Sequence, residues 1–263
     1  MRNTVLLNLA VLSLVIAGCG KEEKAKVSSE IRSYIMELVQ DGAVSVRHQI
    51  EPAFDANGRL SSIVTESRTL NKDGETKSLS KSTSTYVYAE SFHTAAEVNV
   101  LEGDLAFFEK PTVMELTFDE GWKLTEAYFD QLQSTESYEY DGDRMTRYTH
   151  SGISHETPTD ITWKDGDIVS IADDSATATI TYLPEENPFK KGIDPTLDNL
   201  LPVYYTYMIT GSHSAHLPDT YTNVSTTVKT YKYEYKKDKH GRITEITVKG
   251  EGETSHNVIR IQY

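Results

Sequence analysis

The segment from Ser137 to Tyr148 reads as two β-strands joined by a tight turn, and it constrains the fold more than any other part of the chain. Aromatic and polar residues alternate up to Asp141-Gly142, which interrupts the pattern, and a second alternation follows. Asp-Gly suits a type I′ hairpin, because both central residues of that turn need a positive φ, which Gly adopts freely and Asp tolerates. The segment therefore predicts an antiparallel hairpin with its turn at Asp141-Gly142.

Variants of this strand–turn–strand unit recur along most of the chain. Good matches occur at residues 54–60, 118–124 and 163–168, and a longer version spans residues 235–243. Strand candidates such as residues 77–85 carry Ser, Thr and Lys on one face, so we expect a sheet with one core side and one solvent side. Neighbours in sequence should also be neighbours in space. We therefore expect a single all-β domain formed by a strongly curved antiparallel meander sheet.

Two segments depart from the period of two and predict helices. The first is a short N-terminal helix, ended by Asp41-Gly42, whose apolar residues have the spacing i, i+3, i+4, i+7 and i+8; they are Ile31, Tyr34, Ile35, Leu38 and Val39. The second begins at Asp194-Pro195, a favourable N-cap followed by Pro at the first helical position. It should cover about residues 195–210 and be broken at Pro202, because Pro removes a helical hydrogen bond.

The first 18 residues have the features of a bacterial lipoprotein signal peptide. A short basic start precedes the apolar run Val5–Ile16, which is too short to span a membrane. The run leads into residues 14–19, which resemble a lipobox ending in Cys19, the only cysteine of the chain. We expect a signal peptide over residues 1–18, a lipidated (palmitate-bearing) Cys19 with a charged tether over 19–29, and the β-domain over 30–263. The alternative is an ordinary signal peptide or short membrane anchor in which Cys19 has no role.

Charge and residue usage exclude several classes of function. The formal net charge is −14, and basic clusters are absent from the sequence, which argues against nucleic acid as a partner. A single cysteine, used for the lipid, leaves none for a disulfide or a zinc thiolate site. The Asp residues of the turns lack the further ligands of a calcium loop, and the spaced histidines lack a third zinc ligand. We therefore expect no metal, no cofactor and no catalytic residue of a recognised motif.

Taken with Cys19, several landmarks resemble one family. They are the aromatic-x-aromatic-Asp-Gly units, Trp163–Ile168, Asn187-Pro188-Phe189 and Gly211–Pro218. The chain is similar to the secreted Bacteroidales lipoproteins of domain-of-unknown-function family forty-five ninety-five, over roughly residues 110–263. The repeats also resemble the Tyr-Asp repeats of bacterial surface proteins. The resemblance implies a porin-like fold or open barrel, here soluble, because strands such as residues 77–85 lack the apolar band of a membrane barrel. It implies no activity.

Two short motifs extend the resemblance to location and modification. Residues 21–23 (Lys-Glu-Glu) resemble the export signal that takes Bacteroidales lipoproteins to the outer face of the outer membrane. Asp174-Ser175-Ala176 resembles the O-glycosylation motif of the same bacteria, which makes Ser175 a candidate glycosylation site. The sequence therefore predicts a protein anchored by lipid in the outer membrane and facing the exterior.

Two functions remain open from the sequence. The favoured one is a non-catalytic surface binding or structural module, with a glycan or a surface protein as partner. The alternative is a carbohydrate-active hydrolase that uses two carboxylates across a cleft. Because the proline-rich segment between Pro184 and Pro218 is the longest departure from the hairpin repeat, we place the candidate ligand site there; its residues are Tyr204, Tyr205, Tyr207, His213 and His216. The competing interpretation is that the apolar stripe of this segment plugs the concave side of the sheet.

Overall fold

The computed structural model describes residues 31–89, 94–103, 112–153, 155–189, 194 and 213–263. In this part of the chain there are sixteen β-strands, one 3-10 turn at Asp130–Leu132 and no α-helix. The strands are β1 (Ser33–Gln40), β2 (Ala43–Phe54), β3 (Leu60–Leu70), β4 (Thr76–Tyr88), β5 (Thr94–Gly103), β6 (Thr112–Phe118), β7 (Leu124–Phe129), β8 (Ser134–Asp141), β9 (Arg144–Ser151), β10 (Glu156–Lys164), β11 (Asp167–Ala172), β12 (Thr177–Glu186), β13 (His216–Val224), β14 (Val228–Lys237), β15 (Ile243–Gly250) and β16 (His256–Gln262).

The strands form one closed antiparallel barrel. Each strand pairs with its neighbours in sequence, and β1 pairs with β16 from Ser33↔Gln262 to Val39↔His256. The all-β meander expected from the sequence is confirmed, and its sheet is closed. The broken helix expected near residues 195–210 lies outside the described residues.

The predicted N-terminal helix is wrong, because these residues form β1. Tyr34, Met36 and Leu38 alternate on one face of the strand and pair with residues of β2. Asp41-Gly42 does not end a helix but forms the hairpin turn to β2, with φ values of 49° and 79°. Positive φ at both central residues is the signature of a type I′ turn. The apparent helical spacing arose because apolar residues occur on both faces of β1.

The expected hairpin at residues 137–148 is present, with its turn displaced by one residue. Asp141 is the last residue of β8 and pairs with Arg144, so the two-residue turn is Gly142-Asp143. Only Gly142 has a positive φ, of 58°, as expected for a type II′ turn. A bulge between Glu139 and Tyr140 shifts the register and thereby moves the turn.

Four five-residue turns share one hydrogen-bond pattern. In each, the first side chain, Asp or Asn, accepts hydrogen bonds from the backbone N–H groups of the third and fifth residues; the first residues are Asp55, Asn71, Asp119 and Asp238. The fourth residue is left-handed in all of them. It is Gly in three turns but Trp122, with φ 60°, in the turn from β6 to β7. Bulky residues rarely adopt this conformation, so Trp122 is strained.

One set of alternating positions faces the lumen of the barrel and forms its core. A round barrel of sixteen strands is wide enough to leave its lumen open. Here, however, inward side chains such as Leu116, Leu124, Ile246 and Ile259 are fully buried. Burial of these apolar residues removes them from water and supplies the main stabilisation of the fold. The lumen is therefore packed over much of its length.

Each rim of the barrel collects its own set of turns. Among the turns described in full, the entry rim holds β2–β3, β6–β7, β8–β9, β10–β11 and β14–β15, together with the beginning of β1 and the end of β16. The far rim holds the described turns β1–β2, β3–β4, β7–β8, β11–β12, β13–β14 and β15–β16. The two rims differ in packing and in charge.

Aromatic side chains fasten the hairpins to one another at the entry rim. In six places among the described residues, an aromatic OH or N–H near the end of one strand donates to the backbone carbonyl near the start of the preceding strand, at 2.7–2.9 Å. The pairs are Tyr88–Leu60, Tyr140–Leu124, Trp163–Met145, Tyr182–Ile168, Tyr235–Pro218 and Tyr263–Ile243. In four of them the residue before the acceptor is a cation lying 4.3–5.9 Å from the aromatic ring. The repeated strand–turn–strand unit of the sequence thus corresponds to this repeated contact between an aromatic side chain and the start of the preceding strand.

The outward face carries a ladder of ion pairs across the closure of the barrel. The carboxylate of Glu37 on β1 pairs with Arg47 on β2 and Arg260 on β16. Arg260 also contacts Glu245 on β15, which pairs with Lys236 on β14. In the described part of the chain, no helix is long and apolar enough to cross a membrane.

One carboxyl group faces the packed lumen. Glu97 on β5 is 1% exposed and lies beside the register partners Tyr86 on β4 and Met114 on β6. Burial raises the pKa of Glu97, and the nearby hydroxyls of Ser84 and Tyr86 offset part of that effect. Because the folded state binds this proton more tightly than the unfolded chain does, Glu97 contributes less stability as pH rises above about 4.5, the ordinary value.

Replacing Glu97 with Gln should therefore make unfolding less dependent on pH. We expect E97Q to be more resistant to urea than the wild type at pH 8 and to lose that advantage near pH 4.5, because Gln keeps the shape without the buried charge. Urea unfolding of both proteins at the two pH values measures the difference. Glu115→Gln, on the outward face of β6, controls for the loss of one negative charge. An equal difference at both pH values would contradict the role given to Glu97.

Candidate functional site

The segment between β12 and β13, called here the excursion, is fastened to the entry rim through its described ends. The N–H of Asn187 donates to the carbonyl of Ala215 at 2.8 Å, and the N–H of Ala215 donates to the carbonyl of Gly166 at 2.9 Å. Asn187 also donates from Nδ2 to Oδ2 of Asp194 at 2.7 Å. Asn187 and Asp194 are both buried, and the adjacent Phe189 belongs to the hydrophobic core. The described ends of the excursion are therefore bonded to the entry rim, with Phe189 packed in the core.

The two histidines of the predicted site, His213 and His216, lie among these contacts at the entry rim. His213 is buried, with Nδ1 3.7 Å from Oδ2 of Asp194. His216 begins β13 and binds Asp167 twice, from its backbone N–H to Oδ1 and through Nδ1 to Oδ2, both at 2.8 Å. Next to them, Ser214 Oγ accepts the N–H of Ile168 and contacts the hydroxyl of Tyr182. Both histidines therefore lie at the base of the excursion, His216 hydrogen-bonded to Asp167 and His213 beside Asp194.

The other predicted site residues are not brought together by the described structure. Tyr204, Tyr205 and Tyr207 lie outside the described residues, as does Cys19. Ser175 lies in the exposed turn between β11 and β12, where its hydroxyl donates to Oδ1 of Asp173 at 2.7 Å. Its glycosylation stays a prediction. In the described parts of the chain, no group of three or more His, Cys, Asp and Glu side chains is placed to hold a metal ion.

A cavity of about 420 Å³ opens at the far rim, on the side of the barrel built by β13 to β16. This volume lies in the range of roughly 300–1,000 Å³ usual for small-molecule sites. Its lining is contributed by alternate, inward-facing positions of these strands and of the β13–β14 turn; the residues are Tyr221, Asn223, Ser225, Thr227, Lys229, Tyr231, Tyr233, Val248 and Asn257. The cavity is therefore a part of the lumen, at its far-rim end, that the described core residues leave open.

The cavity changes from apolar at its floor to polar at its mouth. Tyr233 and Val248 are buried and form the floor. Tyr221 and Tyr231 are cross-strand partners half-way up, with ring centroids 5.9 Å apart and planes inclined by 39°. Above them Asn223 donates from Nδ2 to the hydroxyl of Tyr221 at 3.2 Å. A ligand here would meet aromatic surface and amide or hydroxyl groups together.

One charged residue lines the cavity, and it is paired. The Nζ of Lys229 donates to Oε1 of Glu253 at 3.0 Å. This hydrogen bond and the charge of the carboxylate raise the pKa of Lys229. Glu253 follows β15 and lies over Gly250, since a Cβ added to Gly250 would be 2.6 Å from Cδ of Glu253. Gly250 in turn pairs with Tyr231, which places the carboxylate beside the aromatic wall.

Sequence reasoning missed this cavity because its residues look like ordinary strand residues. The alternation Lys229-x-Tyr231-x-Tyr233 was visible as a strand pattern, but nothing local indicates which face is inward. Tyr221-x-Asn223, two residues before the Ser225–Thr227 turn, is the one available signal: a tyrosine and an amide on the same face near a strand end.

Comparison with known proteins gives the fold. No family model matches the chain, and no curated protein matches it. A crystal structure at 2.32 Å resolution of a porin-like protein from Bacteroides uniformis ATCC 8492 is similar, with a TM-score of 0.65 and 15% identity, over 88% of this chain and 98% of the other. The chain has a porin-like fold. A porin-like protein from Bacteroides vulgatus ATCC 8482 aligns over 89% and 98% at 10% identity, but its TM-score of 0.31 supports no conclusion. The porin-like shape implied by the sequence resemblance is thereby confirmed.

Proposed function

We propose that the protein is a lipid-anchored envelope module that binds a glycan in the far-rim cavity without transforming it. The observation that carries this proposal is the cavity, which is open to solvent and graded from apolar to polar. Sugar rings present an apolar face and a hydroxylated edge. Tyr221 and Tyr231 offer flat, rigid ring faces for the former, and Tyr keeps a polar tip for the latter.

The hydroxyls of a glycan would be met by neutral groups. Asn223 and Asn257 place amides in the wall, while Ser225 and Thr227 place hydroxyls at the mouth. Amides can donate and accept at once, which matches sugar hydroxyls that also do both. None of the nine lining residues is Asp or Glu. Since a glycosidase needs two carboxyl groups across its site, the lining favours binding over hydrolysis.

A lipid anchor on Cys19 would leave the cavity accessible. The proposed anchor, Cys19, precedes β1, and β1 begins at the entry rim. The cavity opens at the opposite rim, so a membrane at the entry rim would not cover it. Charged residues on the outward face, such as those of the Glu37 ladder, suit water and not hydrocarbon. Anchoring by lipid, in the outer membrane and facing the exterior, is consistent with both the accessible cavity and the charged residues of the outward face.

The binding proposal is tested with a glycan array followed by calorimetric titration of the glycans that bind. We expect saturable binding and no release of reducing sugar over many hours. A reducing end released by the wild type would replace this proposal with the hydrolase. If no glycan binds while a surface protein does, and that binding survives substitution of the cavity, the site assignment fails.

Replacing Cys19 with Ala should release the protein from the membrane fraction or leave it with an uncleaved signal peptide. The physical reason is that acyl chains contribute about 0.8 kcal/mol for each buried methylene, and the Ala variant has no atom that can carry them. Fractionation of cells and the mass of the mature protein measure this result. For the outward orientation, protease added to intact cells should degrade the wild type. Survival of the protein in intact cells would contradict the surface location.

A further inference from the structure

The charges around the far-rim cavity are arranged to reject anions. In the six far-rim turns described in full, which join β1–β2, β3–β4, β7–β8, β11–β12, β13–β14 and β15–β16, acidic residues number eight against one basic residue. In the five entry-rim turns described in full, the corresponding numbers are six and four. A concentration of one sign at the mouth of a cleft raises or lowers the local concentration of charged ligands. The potential at this mouth therefore opposes a negatively charged ligand.

Within the cavity, the group that could attract an anion is already neutralised. Lys229 is the only cation among the nine lining residues, and its Nζ binds Oε1 of Glu253. Glu253 reaches this position by lying over Gly250, where any larger residue would collide with its carboxylate. The remaining polar groups of the lining are uncharged amides and hydroxyls. Both the lining and the rim thus suit a polar ligand without negative charge.

We propose that the cavity selects uncharged glycans over acidic ones, and that Glu253 determines this specificity by pairing with Lys229 and neutralising its charge. This inference rests on the proposed glycan-binding function. If Glu253 is made neutral, Lys229 keeps its positive charge and gains a partner only when an acidic sugar enters. Lys229, beside the β15–β16 turn, then becomes a binding site for carboxylated glycans, such as saccharides that contain uronic acid or sialic acid.

The experiment compares Glu253→Gln with Glu251→Gln, a variant of the same net charge. Glu251 lies two residues earlier in the same turn, is exposed, and is held by a bond from its backbone N–H to the carbonyl of Thr230. Both substitutions remove one negative charge from the rim, but only E253Q removes the carboxylate that pairs with Lys229. The probe is an array that pairs each neutral glycan with its sialylated or uronic-acid counterpart, read at low and at physiological salt. Urea unfolding confirms that both variants are folded.

We expect the wild type and E251Q to bind neutral glycans in preference to their acidic counterparts. In E253Q the ratio of neutral to acidic binding should fall by about fivefold, the effect of one unmasked charge near the surface, and the change should shrink as salt is added. Equal binding of neutral and acidic glycans by the wild type would overturn the inference while leaving glycan binding in place. Identical behaviour of E251Q and E253Q would overturn the role of Glu253. Absence of any glycan binding would overturn the proposed function together with this inference.

Discussion

Replacing Ile246 with Ala is expected to lower the free energy of unfolding by about 2–5 kcal/mol, the range seen when a large aliphatic side chain is removed from a packed core. Ile246 is 0% exposed and lies on the inward face of β15, opposite Tyr235 on β14 and Ile259 on β16. These neighbours are held by strand pairing on both sides, so they cannot move far to fill the space left behind. Urea denaturation at constant pH measures the loss.

Lys249→Ala is the matched control for this prediction. Lys249 lies on the same strand with its side chain exposed on the outward face, and such surface changes usually stay within about 0.5 kcal/mol. If the two variants lost the same stability, the inward face of β15 would not be the core, and the assignment of lumen and exterior would be wrong.

The second large effect concerns binding. Replacing Tyr231 with Ala should weaken glycan affinity by at least about tenfold, which corresponds to roughly 1.4 kcal/mol. The reason is that the variant removes one of the two ring faces that form the wall of the cavity, while its partner Tyr221 is left without its cross-strand contact. Because Tyr231 is half-buried, stability should fall less than for Ile246→Ala. Calorimetric titration with a glycan identified on the array measures the affinity.

Two further variants separate the loss of ring stacking from other causes of weaker glycan binding. Tyr231→Phe keeps the ring face and should retain most of the affinity. Tyr263→Phe removes a hydroxyl at the entry rim, where it donates to the carbonyl of Ile243, and should leave binding unchanged. Full affinity in Tyr231→Ala would show that the ligand does not enter this cavity.

The local pattern predicted the elements of the fold but not how they close. Alternation and Gly-containing turns are set by residues close in sequence, so hairpins such as residues 137–148 were visible. The pairing of β1 with β16 joins residues more than 200 positions apart, for example Ser33 and Gln262. No local rule indicates it. The same limit explains the mistaken N-terminal helix, because the strand nature of residues 33–40 is fixed by partners on both sides.

The candidate site shows the same limit more strongly. His213 and His216 were chosen because they belong to the longest departure from the repeat. The structure places His216 in hydrogen bonds with Asp167 and leaves Nδ1 of His213 3.7 Å from Oδ2 of Asp194; a role of either histidine in ligand binding stays a prediction. The cavity is built from residues that obey the repeat, such as Tyr231 and Asn223. Their chemistry is visible only when the barrel fixes which face is inward and which end of the lumen stays open.

The residues that follow the entry-rim turns have a consequence for permeation. Six of them point inward within the described structure and are 0–3% exposed; they are Leu60, Leu124, Met145, Ile168, Leu217 and Ile243. An ion that entered at the far rim would have to shed its hydration among these apolar side chains, at a prohibitive free-energy cost. Within the described structure, the cavity therefore opens at the far rim and is closed toward the entry rim by packed apolar side chains.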